Sequence, residues 1–440
     1  MKRSLPLALL AALALPACAQ SPDPAAGAAI EPGTPGAATE SDAAPKPAPA
    51  PESYSPPPPT AQQQATYDAC LADLRDNAVA AGVPGAEFDR QVQGLAPDMS
   101  VTELLDAQPE FKTPIWDYMA GLVDDERVAD GKAMLREHAD VLARVEDKYG
   151  VDPATVVAVW GVESDFGRKF GQRPLLQSLS TLSCFGRRQG FFRDELFSAM
   201  RIVAKRDIAA DDLRGSWAGA FGHTQFMPST FERIAVDFDG DGRRNLVGSI
   251  PDALASTANY LERSGWRTGE PWGVEVVVPD GFNEDLAGRT NRKTLSEWMK
   301  YGIERAGGGP IDMPGLTRAA LLLPAGEDGP AFLVFKNFDA IYSYNAAISY
   351  ALAIAHLSDR LRGGDAFTTP WPTDNPGLSR AQRRELQTLL IARGHDIGAV
   401  DGMLGTRTRA AIALEQERLG HEPAGRGGMK ILQALRKQTR

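Results

Sequence analysis

One carboxyl group closes an apolar run in residues 156–167: Val156, Val157, Val159, Trp160 and Val162 precede Glu163, and Ser164, Asp165, Phe166 and Gly167 follow it. The run starts at Asp152-Pro153, a capping residue followed by Pro at the first helical position, so it reads as a helix. It is apolar nearly all round and belongs in a core. Glu163 lies seven residues after Val156 and three after Trp160, on the same helical face. A carboxylate at that place is costly to ionise, so its pKa should rise. A general acid that keeps its proton near neutral pH needs that property. The competing assignment is a helix-end Glu that faces solvent or pairs with Arg168. A second segment, residues 215–229, places Gly215, Gly219 and Gly222 where the backbone can turn tightly and a ligand can come close. Ser216 and Gln225 offer hydrogen bonds there, and Trp217 and Phe226 offer flat faces for a sugar. Its plain alternative is a structural loop. A third cluster, Asp237, Asp239, Asp241 and Gly242, matches positions 1, 3, 5 and 6 of an EF-hand loop, with the carbonyl of Arg243 at position 7. Position 12 is Gly248 rather than Glu, and the alternative is a solvated Asp-Gly turn.

Several elements must position these groups. Residues 65–92 read as a helix and turn with Leu71, Leu74 and Val79 on one side. In residues 131–149, Leu135, Val141, Leu142 and Val145 recur at helical spacing. Residues 191–207, 251–264 and 346–361 also read as helices. Residues 271–335 differ: β-branched runs at 274–278 and 331–335, separated by Gly and Pro, predict a small partly β subdomain. The predicted fold is therefore mainly α (α+β). Residues 363–377 hold Pro370, Pro372 and Pro376 and read as a linker. Beyond them Ser379 caps a helix with Leu386, Leu389 and Leu390, and Asp401-Gly402 makes a turn. Thr406 caps a second helix with Ala410, Ile412 and Leu414, and residues 429–435 make a third. A unit of this size in three short helices suits binding better than catalysis.

The 440-residue chain is 43% hydrophobic and 24% charged, with a net charge of -10 and a mean hydropathy of -0.26. An acidic chain argues against a nucleic-acid partner, which needs a basic face. No apolar run beyond the first 20 residues is long enough to span a bilayer. Lys2 and Arg3, then the apolar stretch from Leu5 to Leu15, form a secretory signal. Leu15-Pro16-Ala17-Cys18 ends it like a bacterial lipobox, which makes Cys18 the lipidated residue, with an ordinary signal peptide as the alternative. Residue 19 is Ala rather than Asp, which by resemblance to Gram-negative lipoproteins favours the outer membrane. Residues 19–62 are rich in Ala and Pro and cannot bury a core. As polyproline II they would reach on the order of 100 Å from a membrane. With Cys18 carrying lipid, Cys70 and Cys184 are left either as a disulfide in an oxidising compartment or as two small buried thiols.

Glu163-Ser164-Asp165-Phe166-Gly167, residues 215–220, Gln225-Phe226-Met227-Pro228-Ser229 and Tyr344-Asn345 occur in one order. Together they resemble the B-type membrane-bound lytic murein transglycosylases, over roughly residues 65–362. The resemblance implies a lysozyme-like α-rich catalytic core with a small β subdomain over residues 63–362. It implies Glu163 as sole acid/base, with Ser216 and Gln225 beside the cleaved bond. Tyr118, Tyr260, Tyr344 and Asn345 would shape the glycan subsites, and Arg187 and Arg188 would border them. It also implies structural Ca²⁺ closed by a later Asp, for which Asp252 is the candidate, displaced by about one residue from the usual pattern. No cofactor is expected for catalysis. Asp165 departs from the usual motif. It lies about 200° round the helix from Glu163 and so should point elsewhere. Residues 378–440 resemble the three-helix peptidoglycan-binding domain type 1 through Asp401, Gly402, Gly405, Thr408 and Ala411, with Glu415 where an aromatic is usual.

What these resemblances imply is cleavage of the bond between N-acetylmuramic acid and N-acetylglucosamine with a 1,6-anhydro product. The expected partners are peptidoglycan glycan strands and, through the N-terminal lipid, the outer membrane, with no nucleic acid and no second copy of the chain. The expected location is the periplasm. A muramidase that uses water would need a second carboxylate facing Glu163. A non-catalytic wall-binding lipoprotein would need no Glu163. The anchor is tested by fractionation: replacing Cys18 by Ala should move the protein from the membrane to the soluble periplasmic fraction, and a variant that stays with the membrane counts against the lipobox.

Overall fold

Thr60 and Gln63 exchange side-chain and backbone hydrogen bonds in a capping box that starts the first helix, α1 (Ala61–Ala80). There follow α2 (Gly85–Val92), α3 (Ser100–Glu103), α4 (Ile115–Leu122), α5 (Asp125–Glu137), α6 (Ala139–Tyr149) and α7 (Pro153–Ser164). Strand β1 (Arg173–Pro174) precedes α8 (Leu175–Cys184) and α9 (Gln189–Ala204); β2 (Arg214–Gly215) precedes α10 (Pro228–Ile234) and α11 (Ile250–Arg263). The sheet region contains β3 (Gly273–Val277), β4 (Arg292–Thr294), α12 (Leu295–Lys300), β5 (Glu304–Arg305), β6 (Arg318–Leu322) and β7 (Ala331–Val334). The chain ends in α13 (Lys336–Asn345), α14 (Ile348–Leu361), α15 (Arg380–Ala392), α16 (Thr406–Arg418) and α17 (Met429–Gln438). The structure, a computed structural model, describes residues 54–105, 113–311, 313 and 315–438. Cys18, the signal segment and most of the tether lie outside them. The first described residue is held: Tyr54 donates to Asp98 (2.7 Å) and lies under the Arg173 guanidinium.

The mainly α, α+β fold expected from the sequence is present. Helix α7 lies at its centre, packed by α14, α5, α6 and α11. Val156, Val157, Ala158 and Val159 are fully buried in a core shared with α11, α13 and α14. A second core joins α1, α8, α9 and α10. Cys70 of α1 and Cys184 of α8 form a disulfide within it, which settles the open choice between a bridge and two thiols. Tyr260 and Tyr344 pack against both cores, at the seam between them. The five-stranded sheet runs β4-β6-β7-β3-β5, antiparallel at every pairing, and buries Trp298 of α12 against one face. Helices α15–α17 close a small core of their own around Leu386, Leu390, Ile412 and Leu432.

Local details depart from the sequence expectations. The helical pattern of residues 131–149 is two helices, broken at His138, which ends α5 and begins α6 and turns its ring to Trp160 (5.5 Å). Val79 is exposed while Leu71 and Leu74 are buried, because Val79 has turned off the packed face at the end of α1. Gly405, not Thr406, stands at the cap of α16 and gives no side-chain bond. The buried face of that helix carries Thr408, Ala411, Ile412 and Glu415, leaving Leu414 exposed. Residues 363–377 are strapped to the body: Glu275 accepts the N–H groups of Thr368 (2.8 Å) and Thr369 (2.7 Å), and Phe367 stacks on His356.

Candidate active site

Helix α7 begins with the Asp152 side chain accepting the Thr155 N–H (3.2 Å) and stops abruptly after Ser164. Asp165 (φ 52°) and Phe166 (φ 58°) both take the left-handed conformation, which costs a residue with a Cβ about 1–2 kcal/mol. Two contacts hold it. The Phe166 ring packs onto Gly161, where a Cβ would come within 2.7 Å of it. The Asp165 carboxylate does not line the cleft, but helical angle is not the reason, since the residue lies past the end of α7 in the left-handed conformation; it is held by Arg127 (3.3 Å) and Arg380 (2.8 Å). Arg168 pairs with Asp130 (2.7 Å) and not with Glu163, which removes the solvent-facing ion pair as the explanation of Glu163.

Glu163 lies at the floor of a cavity of about 740 Å³ that is also lined by Tyr118, Asn345 and Tyr350. Burial pushes its carboxyl up to about 7, opposed only by a hydrogen bond from the Tyr350 hydroxyl, which lowers it. Burial, and then the charge of Glu163, hold the Tyr350 and Tyr344 hydroxyls well above the usual tyrosine range, so both remain donors. Tyr344 donates to Thr224 O (2.7 Å) and Tyr260 to Ser343 O (2.7 Å), and their rings meet at 4.6 Å. Tyr344 also stacks towards Tyr350 at 6.3 Å. Tyr260 and Tyr344 do not themselves line the cavity; they form an aromatic row that reaches Glu163 through Tyr350.

The loop of residues 215–226 supports this arrangement from behind. Ser216 Oγ accepts the Ala220 N–H (3.0 Å). Gln225, itself at φ 50°, donates Nε2 to Phe170 O (3.2 Å) and Gly222 O (2.9 Å). His223 accepts from Trp160 Nε1 (2.9 Å) at Nδ1, while its carbonyl takes the Ser164 hydroxyl (2.8 Å). Burial holds the imidazole of His223 down to about 4, so it is neutral and can accept that bond. Neither Ser216 nor Gln225 lines the cavity around Glu163, and nor do Arg187 and Arg188. Arg187 donates to Leu105 O (2.8 Å), and Arg188 lies over Phe191 at the start of α9. Tyr350 was not legible in the sequence: it sits in an apolar helix whose pattern signals only core. The cavity also takes Arg383, Leu404, Arg409, Arg426 and Gly427 from the C-terminal three-helix unit.

Among the described residues, one acidic group has the geometry of a metal site: Asp237, Asp239 and Asp252 bring ligand oxygens within 4.8 Å of one another. Hard oxygen donors of this kind suit Ca²⁺. Asp252 is fully buried and accepts N–H groups from Phe238 (2.7 Å), Asp239 (3.3 Å) and Asn245 (2.8 Å). Asp241 is not part of that converging set; its Oδ1 accepts the Arg243 N–H (2.8 Å).

The fold and this site define a chain with a lysozyme-like centre and one enclosed carboxyl, joined to a small helical unit. Residues 66–359 match the transglycosylase SLT domain family, and the chain belongs to that family. Residues 379–435 match the peptidoglycan binding domain family. The membrane-bound lytic murein transglycosylase B of Escherichia coli strain K12 is 33% identical over 248 residues, 54% of this chain; the match spans 65% of that relative's length. Among solved structures, SltB3 from Pseudomonas aeruginosa in complex with NAG-anhNAM-pentapeptide is 46% identical, with a TM-score of 0.68 over 84% of this chain and 99% of that one. The Escherichia coli lytic transglycosylase Slt35 in complex with calcium is 28% identical, with a TM-score of 0.58 over 68% of this chain and 92% of that one.

The hydrogen bond from Tyr350 favours the anion of Glu163, so its loss raises the carboxyl further. In Tyr350→Phe the Glu163 titration followed by carboxyl ¹³C NMR should move up from about 7 by about one pH unit, the scale of a hydrogen bond to a charged group. A midpoint that is unmoved or lowered would remove Tyr350 from the site.

Proposed function

We propose that this chain is a peptidoglycan lytic transglycosylase. It cleaves the β-1,4 bond between N-acetylmuramic acid and N-acetylglucosamine with Glu163 as single acid/base, and leaves 1,6-anhydro-N-acetylmuramic acid ends. The observation that carries this reading is the isolation of the Glu163 carboxyl. Asp117 is the other carboxylate lining the cavity among the described residues, and both its oxygens are held by Arg426 (2.7 and 2.7 Å). Asp165 is held by two guanidinium groups and does not line the cavity. A water-using muramidase needs a free second carboxylate as base or nucleophile, and the described cleft offers none.

With its carboxyl at about 7, Glu163 carries a proton for much of the time near neutral pH and donates it to the glycosidic oxygen as the bond breaks. The substrate's own N-acetyl oxygen stabilises C1, as in substrate-assisted glycosidases. Glu163, now an anion steadied by Tyr350, then takes the proton from the C6 hydroxyl as that oxygen attacks C1. The hydroxyl is held within the same sugar, so it gains an effective molarity on the order of 10⁵ M or more over a bimolecular partner. One group serves both half-reactions because the first leaves it in the protonation state that the second requires. The reading is supported by the name of the Escherichia coli relative and by the anhydro sugar bound in the SltB3 complex.

Glycan strands are the substrate in this reading, and the three-helix unit contributes binding to them. The chain is lipid-anchored at Cys18 in the periplasm, facing the wall from the outer membrane, and acts as a monomer. The membrane-bound description of the relative agrees with this, and among the described residues no helix is long and apolar enough to cross a membrane. Asp237, Asp239 and Asp252 hold a structural Ca²⁺, in line with the calcium complex of Slt35. The ion would lend stability to the loop before α11, and no step of the chemistry passes through it.

Glu163→Gln keeps shape and removes the transferable proton. Its release of soluble muropeptides from purified sacculi should fall by at least about 10² to 10⁴-fold, with sacculus binding retained. Mass spectrometry of the wild-type products should show anhydro ends. Near-normal turnover by the variant, or mainly reducing ends from the wild type, would sink the mechanism. For calcium, the melting temperature in millimolar Ca²⁺ should exceed that in chelator, by mass action on the folded state, and Asp252→Asn should abolish the difference. Identical melting in both buffers would reject the ion.

A further inference from the structure

The three-helix unit is built into the cleft. Arg380 holds Asp124 (3.0 Å) and Asp165 (2.8 Å), and Arg384 holds Glu126. Close contacts fix the same junction. Arg383 lies on the backbone of α4 at Gly121, where a Cβ would come 2.4 Å from its Nη2, and Gly377 is so close to Asp117 that a Cβ would lie 2.7 Å from the Asp117 Cα. The wall that the unit turns towards Glu163 is cationic. Residues 378–440 hold twelve Lys and Arg against six Asp and Glu, in a chain whose net charge is -10. Of the three guanidiniums lining the cavity, Arg426 is neutralised by Asp117. Arg383 spends its hydrogen bonds on the carbonyls of Leu378 (3.0 Å) and Asp117 (3.3 Å). Arg409 gives only Nε, to Leu404 O (2.9 Å), which leaves its fork exposed. Among the described residues no carboxylate pairs with Arg383 or Arg409, and burial first, with the charge of Arg409 also acting, holds the Arg383 guanidinium below the usual arginine range.

From this we infer that Arg409, presented by the C-terminal unit and backed by Arg383, is a specificity-determining residue of the cleft that binds a carboxylate of the substrate's peptide stem. The inference rests on the peptidoglycan reading above. Where muramic acid carries a stem, its lactyl carboxyl is consumed in the amide bond to that stem, so the free carboxylates of such a strand lie on the stem's amino acids. A planar guanidinium with a free fork takes a carboxylate through two parallel hydrogen bonds. The C-terminal unit on this account helps choose which muramic acid residues, by the state of their stems, sit over Glu163.

Calorimetry with the full mature chain tests this without turnover. The disaccharide NAG-NAM lacks the bond that the enzyme breaks, so the wild type serves directly. It should bind NAG-NAM-pentapeptide about tenfold or more tighter than NAG-NAM whose lactyl carboxyl is capped as a simple amide, the ratio expected of a hydrogen-bonded charge pair. The same pentapeptide with its carboxylates amidated should lose that advantage on the unaltered protein. Arg409→Ala should bring the ratio close to one, while Arg407→Ala, which removes a neighbouring charge on α16 outside the cleft, should keep it. A ratio kept by Arg409→Ala, one lost equally in Arg407→Ala, or no wild-type preference would overturn the inference. Failure of the transglycosylase reading would show separately, as reducing ends or undiminished turnover by Glu163→Gln.

Discussion

Keeping one carboxyl out of water is the constraint around which this molecule is arranged. An ionised carboxylate in an apolar setting is expensive, and the group answers by holding its proton. Here the setting is the end of α7, whose preceding turns are fully buried. The helix ends at Ser164, one residue after the carboxyl. The chain there takes two left-handed residues that are not Gly, and the neighbouring structure is shaped to hold them. Gly161 makes room for Phe166, and Arg127 and Arg380 hold Asp165. Strain beside a functional group, held by rigid contacts on both sides, is a common way to fix a side chain in place.

The polar groups around Glu163 divide into those that tune it and those that only support it. Tyr350 donates to the carboxyl and favours its anion. Tyr344 and Tyr260 anchor their hydroxyls on backbone carbonyls, so their rings stand firm as a row. His223, neutral through burial, ties α7 to the loop of residues 215–226 by way of Trp160 and Ser164. That loop does not line the cavity over Glu163, yet it is bonded to α7 at Trp160 and at Ser164, the residue next to the acid.

Sequence periodicity made the catalytic helix legible because a buried helix is apolar on every side and its only carboxyl stands out. The same logic hid Tyr350, since a Tyr among Ala, Leu and Ile on α14 reads as packing. Helix ends were legible where a side-chain cap exists, at Asp152 and Ser379. They were not at His138, where aromatic packing against Trp160 interrupts a continuous helical pattern. The Asp-rich loop was legible as a potential metal site, and so were Asp237, Asp239 and, through the family resemblance, Asp252, which converge. Asp241, at an expected ligand position, lies outside that set.

Asp165 shows where one-dimensional reasoning stops. It stands outside the cleft, but not for the expected reason: α7 ends at Ser164 and Asp165 turns left-handed, so the helical angle does not apply to it. Nor could an angle name what it faces instead, and its partner Arg380 stands 215 residues later, beyond a Pro-rich stretch that reads as a linker. Ion pairs this buried return little net stability, because removing both charges from water offsets most of their attraction. What they do well is fix orientation, since a displaced charge would be left unpaired. Asp124 combines two such duties: it caps the Arg127 N–H at the start of α5 and takes the side chain and N–H of Arg380. Orientation is what a shared wall requires. A unit that only tethered the enzyme to its polymer could swing on residues 363–377 without loss, whereas one that lines the space over Glu163 has to sit in a single place. The charges at its base, Gly121 beneath Arg383 and Gly377 against Asp117 are the features that place it there.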